Sequence, residues 1–150
     1  MIEIKKILFP CDLEESSSKI LPYVLSVSQK YNSMIYLLHV IKELPLWGYY
    51  DIPYAMVTDL QNRTLDVSEK TIDKICEEQL KECQNLQKRI TVGNPSNEIL
   101  STIESEKIDL VIMGTHGRKG LDHAIFGSVA EKVMKKSPVP VLIINTFQDK

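Results

Sequence analysis

A doubly wound α/β domain, with helices on both faces of a parallel sheet, is the architecture that this 150-residue sequence predicts. Three observations predict it. Apolar runs such as LVIM at 110–113 and VLII at 141–144 are unbroken, as suits parallel strands covered on both sides. Longer segments with helical apolar spacing separate the candidate strands, giving the alternation βαβαβαβαβ. Turn residues fall at the joints: Pro10, the run Gly93, Asn94 and Pro95, then Gly114, Pro138 and Pro140. An all-helical bundle does not fit this alternation, and a closed (β/α) barrel needs more strands.

The first strand is expected over residues 4–9, ending at Pro10, with a turn marked by Pro10 and Asp12. A helix over 16–31 follows, with Ser16 or Ser17 as its cap and Ile20, Leu21, Val24, Leu25, Val27 and Ser28 sketching its inner side. Pro22 removes one internal donor and is expected to bend the first turns or delay the helix start. Residues 34–40, MIYLLHV, form the second strand, and the strand–helix–strand unit implies a right-handed crossover. Residues 41–57 read as an irregular stretch carrying Trp47, Tyr49, Tyr50 and Tyr54, aromatics suited to a lid, a partner surface or a satellite core.

Thr58 and Gln61 have capping-box spacing, and a helical pattern runs from Leu60 toward Leu86. At about 1.5 Å per residue that helix is long for a small domain, so a bend or an early loop is expected. The third strand is placed at 88–92 and the third helix after Asn94, with Asn94 as cap, Pro95 in the first turn, and Ile99, Leu100 and Ile103 inward. The fourth strand is 110–113, its helix runs over 128–136, and the fifth strand is 141–144. Lys135 and Lys136 suit that helix's carboxyl end.

One domain over residues 1–150 is expected. The hydrophobic fraction of 43%, charged fraction of 25% and net charge of −2 give no global reason to expect nucleic-acid or membrane binding. The sequence has no apolar run near membrane-spanning length, and a soluble cytoplasmic protein is the expectation. Cys11, Cys76 and Cys83 lack a metal-binding repeat and read as reduced thiols.

The stretch from Asp109 to Val129 carries the chemistry. Gly114 closes a strand, Gly117 follows after two residues, and nine more lead to Gly127 and Ser128. Ser128 and Glu131 have capping-box spacing, so Ser128 is read as the cap of a helix whose free amides face the loop. Such an end attracts phosphate. An anion or nucleotide site made largely of backbone groups is therefore expected at the carboxyl edge of the sheet. Neither G-x-G-x-x-G nor G-x-x-x-x-G-K-[ST] is present, which excludes the standard dinucleotide and P-loop fingerprints.

The Gly114, Gly117, Gly127, Ser128 pattern resembles the nucleotide-binding motif of the universal stress protein family. The likeness extends in order through IKKILFPCD, LLHV at 37–40, VGNPSNEI at 92–99, DLVIMGTHGRKG and FGSVAEKVMKKSPVPVLII, nearly the whole chain. This resemblance implies a five-stranded sheet in the order 3-2-1-4-5 and a homodimer paired through the last strand, Val141–Ile144. It also implies ATP as ligand, with Mg²⁺ accompanying the phosphates. Ligand-contacting positions then fall on Pro10, Asp12, Val40, Gly114, Thr115, Gly117, Arg118, Gly120, Gly127, Ser128 and Val129. Asp12 would approach the ribose or the adenine-proximal edge, Val40 would meet adenine through its main chain, and the loop and helix start would hold phosphates. Asp12, Leu13 and Glu14 stand where many relatives have Asp, Gly and Ser, which leaves phosphate affinity and nucleotide preference open.

The resemblance favours an ATP-binding regulatory or stress-response protein that signals through nucleotide occupancy and a regulatory partner, without a catalytic residue or a protein-held metal. Two alternatives stay open at this stage. A slow ATPase or nucleotidyl-transfer enzyme would draw on Asp12 or His116. A nucleotide-free interaction module would use the aromatic region or the terminal strand. A metal site joining His39, His116 and Cys11 lacks ligand spacing.

Overall fold

The computed structural model describes residues 1–43, 51–115 and 126–146. Its elements are β1 (Lys6–Pro10), α1 (Ser17–Tyr31), β2 (Met34–Lys42), α2 (Tyr54–Gln79), β3 (Leu86–Gly93), α3 (Pro95–Glu106), β4 (Leu110–Gly114), α4 (Ser128–Lys136) and β5 (Val141–Ile144). The strands form one sheet in the order β3-β2-β1-β4-β5, with every neighbouring pair parallel. Both the alternation and the order agree with expectation.

Strand alternation divides the core into two layers. Ile7 and Phe9 of β1, Ile35 and Leu37 of β2, and Leu110 and Ile112 of β4 pack with Ile20, Leu21 and Val24 of α1 and Ile72 of α2. Leu8, Tyr36, Leu38, Val111 and Met113 face the other way, onto Ile99 and Ile103 of α3 and Ala130 and Val133 of α4. The sequence direction reverses across the sheet between β1 and β4, which makes their carboxyl ends the switch point of the fold.

Several boundaries differ from those read in the sequence. β1 begins at Lys6 because Asp109 Oδ2 takes the amides of both Lys5 and Lys6, each at 2.9 Å, before the ladder starts. Ser16 occupies the cap position of α1 without a side-chain capping bond, and the Ser17 hydroxyl instead donates to Asp12 at 2.8 Å. Pro22 is accommodated inside α1. The expected Thr58 cap is corrected: α2 starts at Tyr54 after Pro53, and the Thr58 hydroxyl donates back to the Tyr54 carbonyl within the helix. The early loop expected in this segment falls at residues 80–85: one helix of 26 residues ends at Gln79, and Leu86 already belongs to β3.

α3 forms as expected. Asn94 accepts the Asn97 amide at 3.1 Å, and Pro95 fills the first turn, where its missing donor costs nothing. The Trp47, Tyr49 and Tyr50 readings lie outside the described residues, while Tyr54 is exposed on α2. Among the described residues, no helix is long and apolar enough to cross a membrane.

Candidate functional site

β2 runs past β1. Their register ends at Pro10 opposite Leu38, whereas β2 stays paired with β3 as far as Lys42 opposite Gly93. The Cys11 amide donates to the Leu38 carbonyl at 2.8 Å, which fixes Leu38 as facing β1. Alternate residues of a parallel strand face the same neighbour, so the main-chain N–H and C=O of Val40 point toward β1 beyond its last residue. They are open to a cleft.

That cleft has a volume of about 710 Å³ and lies along the carboxyl ends of β1, β2 and β4. Pro10, Asp12, Val40, Gly114, Thr115, Gly127, Ser128 and Val129 all line it. Eight predicted positions are thus brought together from four separate segments. Gly117, Arg118 and Gly120, and with them His116 and His123, lie outside the described residues.

The wall at α4 is polar and donor-rich. Gly127, not Ser128, is the N-cap, and no side chain caps the helix. The Gly127 amide is used by the Thr115 carbonyl at 2.7 Å, and the first helical bond runs from Glu131 back to Gly127. The amides of Ser128, Val129 and Ala130 therefore precede the intrahelical ladder and border the cleft without a helical acceptor. Ser128 fails as the cap because it is already the first helical residue. Glu131, expected to reach back, bonds Lys135 at 2.8 Å, and that contact lowers its carboxyl pKa.

Thr115 supplies a second signal. Its side chain is only 4% exposed, and its hydroxyl is the buried side-chain polar atom without a partner among the described residues. An orphan of that kind costs about 1–3 kcal/mol unless something bonds it. It borders the same cleft as the open amides.

Gly114 is closely approached by its neighbours. A Cβ there would lie 2.9 Å from Ile20 Cδ1 and 3.4 Å from Thr146 Cγ2, so its smallness lets α1 approach the end of β4.

At the other end, Asp12 Oδ1 accepts the Glu14 amide at 2.9 Å as well as the Ser17 hydroxyl. Its carboxylate organises the turn into α1. Leu13 sits in this turn at φ 64°, the left-handed region. Cys11 is buried, and desolvation raises its thiol pKa even though the Ser17 hydroxyl, 3.4 Å away, works against the rise. Such a thiol is a poor nucleophile. His39 Nδ1 lies 2.7 Å from the Cys11 carbonyl. Among the described residues, no three His, Cys, Asp or Glu side chains are grouped to hold a metal.

Sequence reasoning missed Ile41, Lys42, Leu60, Gln61, Thr64 and Phe126 as lining residues. The overrun of β2 and the early start of α2 put most of them there, and neither is encoded by a local motif. The model of the universal stress protein family matches residues 3–145.

This chain belongs to the universal stress protein family. Universal stress protein MJ0577 of Methanocaldococcus jannaschii is 32% identical over 152 residues, covering 93% of this chain and 94% of the relative. Universal stress protein MJ0531 of the same organism is 28% identical, over 93% of this chain and 81% of that one. The solved structure of MJ0577 superposes with a TM-score of 0.86 at 30% identity, covering 99% of this chain and all of the other. A universal stress protein solved in complex with cAMP shares the fold at a TM-score of 0.66 and 17% identity, over 97% of this chain and 99% of that one.

Proposed function

We propose that this universal stress protein binds ATP in the cleft and acts as a homodimeric regulatory protein whose signal is nucleotide occupancy. The observation that carries the reading is the pairing of three uncapped α4 amides with the orphan Thr115 hydroxyl on one wall. Together they offer donors and a positive helix end, which fits a polyphosphate. Val40 offers a main-chain donor and acceptor at the opposite end, where Ile41 and Leu60 add apolar surface for a flat base. Gly117, Arg118 and Gly120 would complete the phosphate cradle.

A relative of the same fold solved with cAMP supports an adenine nucleotide as a ligand that this architecture accommodates. Mg²⁺ would accompany ATP, coordinated chiefly by phosphate oxygens and water, with Asp12 in the same cleft. Binding without turnover is favoured because Asp12 Oδ1 is already committed to the Ser17 hydroxyl and the Glu14 amide. The cytoplasm, a reducing compartment, suits three free cysteines.

Mass spectrometry of nucleotide released from the purified, folded chain tests the reading, backed by titration with ATP·Mg²⁺. Recovery of near-stoichiometric ATP is expected. Absence of ATP, ADP and AMP together with no binding in the titration overturns it. Sustained product release that is lost on changing Asp12, with ATP binding retained, would replace it with an ATPase.

A further inference from the structure

Resting on the ATP reading above, we infer that His39 and Gln61 form a base-reading pair that selects adenine over guanine. Neither was among the positions assigned to the ligand, and both line the cleft on the side away from α4.

Strand alternation places His39 on the same sheet face as Ile35 and Leu37, the face covered by α1 and α2. Gln61 comes from α2, on that face. The pair therefore stands on one side of the Val40 main chain, where β2 has outrun β1.

The His39 contact fixes its chemistry. A carbonyl oxygen only accepts, so Nδ1 carries the hydrogen that goes to the Cys11 carbonyl at 2.7 Å. In the neutral ring Nε2 is then an acceptor, and it has no partner among the described residues. Gln61 is half-buried on a wall shared with Ile41 and Leu60, and its carboxamide also has no partner among the described residues. A bare acceptor and a free amide bordering an apolar slot match a heteroaromatic edge bearing a donor between acceptors.

Adenine has that edge. Its exocyclic amine carries two hydrogens, one for the Val40 carbonyl and one for His39 Nε2, and Gln61 can donate to a ring nitrogen. Guanine places a carbonyl oxygen where adenine has the amine. That oxygen would oppose both the Val40 carbonyl and Nε2, leaving three acceptors facing one another.

Calorimetric titration of the full chain with ATP, GTP and N6,N6-dimethyl-ATP tests this, alongside the variants His39→Phe and Gln61→Leu. The expected preference of the unmodified chain for ATP over GTP is on the order of tenfold or more. Dimethylation should weaken binding similarly, because it removes both hydrogens. Each variant should weaken ATP by roughly three- to tenfold while changing GTP by less, narrowing the ratio. Equal affinity of the unmodified chain for ATP and GTP overturns the inference, as does an unchanged ratio in both variants. If the unmodified chain binds no nucleotide at all, the underlying ATP reading falls and takes this one with it. Gln61→Leu, a change at a half-buried position, keeps the test independent of whether His39→Phe folds.

Discussion

The Gly127 amide donates to the Thr115 carbonyl at 2.7 Å, tying the start of α4 to the residue that follows β4. The Thr115 amide in turn donates to the Ile144 carbonyl at 3.1 Å, so the end of β5 is held by the same residue. Thr115 is thereby fixed at both main-chain groups while its side-chain hydroxyl, buried against the cleft, is left without a partner among the described residues. A rigid backbone presenting one unspent donor is a preorganised arrangement for a ligand oxygen.

Thr115→Val keeps the shape and removes the hydroxyl. The unliganded variant should be as stable as the parent or more so, by up to about 1 kcal/mol, since a buried unsatisfied group disappears. Its affinity for ATP should fall by roughly five- to tenfold, the loss of about one hydrogen bond to a charged partner. Thermal unfolding and calorimetric titration read the two effects separately. A variant that is less stable and binds normally would assign the hydroxyl to structure.

Gly114→Ala tests close packing at the other side of the same strand end. The added methyl meets Ile20 Cδ1 at 2.9 Å, the far end of a side chain that also borders the cleft and can turn toward it. Because the clashing carbon can move, the loss should be about 1 kcal/mol, the low end for overpacking, in chemical denaturation. Adding Ile20→Val deletes the clashing carbon, so the double variant should lose less than the sum of the single losses, giving a favourable coupling in the cycle. Strict additivity would mean that the strain lies elsewhere.

Much of this molecule was legible before its coordinates. Parallel strands buried on both faces leave unbroken apolar runs, and LVIM and VLII were therefore readable as β4 and β5. The cap of α3 was readable because Asn94 and Pro95 act within one turn. Capping-box spacing misled at Thr58 and Ser128, since the motif requires a backbone break at the serine or threonine and tertiary packing put each break elsewhere. Leu13 is instructive in a different way. The resemblance marked it as a leucine where relatives carry glycine, and its φ of 64° gives the reason that glycine suits the turn. Its side chain packs against the α1 and α2 core layer, which offsets the strain of about 1–2 kcal/mol. The α2 wall of the cleft was invisible because only the overhang of β2 and the length of α2 bring Gln61 and Thr64 to it.

Burial of two thiols gives a stability that depends on pH. Desolvation is the largest cause raising both Cys11 and Cys76 above the ordinary value of 9.0. A group whose pKa is higher when folded favours the folded state while protonated, so its contribution is fully present below the unfolded pKa and is lost as pH rises through the folded one. Unfolding free energy should therefore decline as pH increases above about 9. Cys11→Ala should flatten that decline, and Cys76→Ala should do so less, because Cys76 is only half-buried whereas Cys11 is buried. Urea titrations at pH 8 to 10 would check it; a parent curve as flat as that of Cys11→Ala would assign the alkaline loss to other groups.

β5 pairs with β4 along one side, and among the described residues no strand lies on its other side. Leu142 is 39% exposed there, and Val141, Ile143 and Ile144 are only half-buried. An apolar edge strand of this kind needs cover, and a second copy related by a twofold axis would supply it. Leu142→Lys places a charge at the proposed contact while Val141 and Ile143 of β5 keep their packing against the core layer of α3 and α4. The parent chain should sediment as a dimer at micromolar concentration and the variant as a monomer, with the far-UV circular dichroism of both alike. Because the cleft is built from β1, β2, β4 and α4, the monomeric variant should retain ATP binding within about threefold. A parent that sediments as a monomer throughout, or a variant that remains dimeric, would remove β5 as the dimer interface.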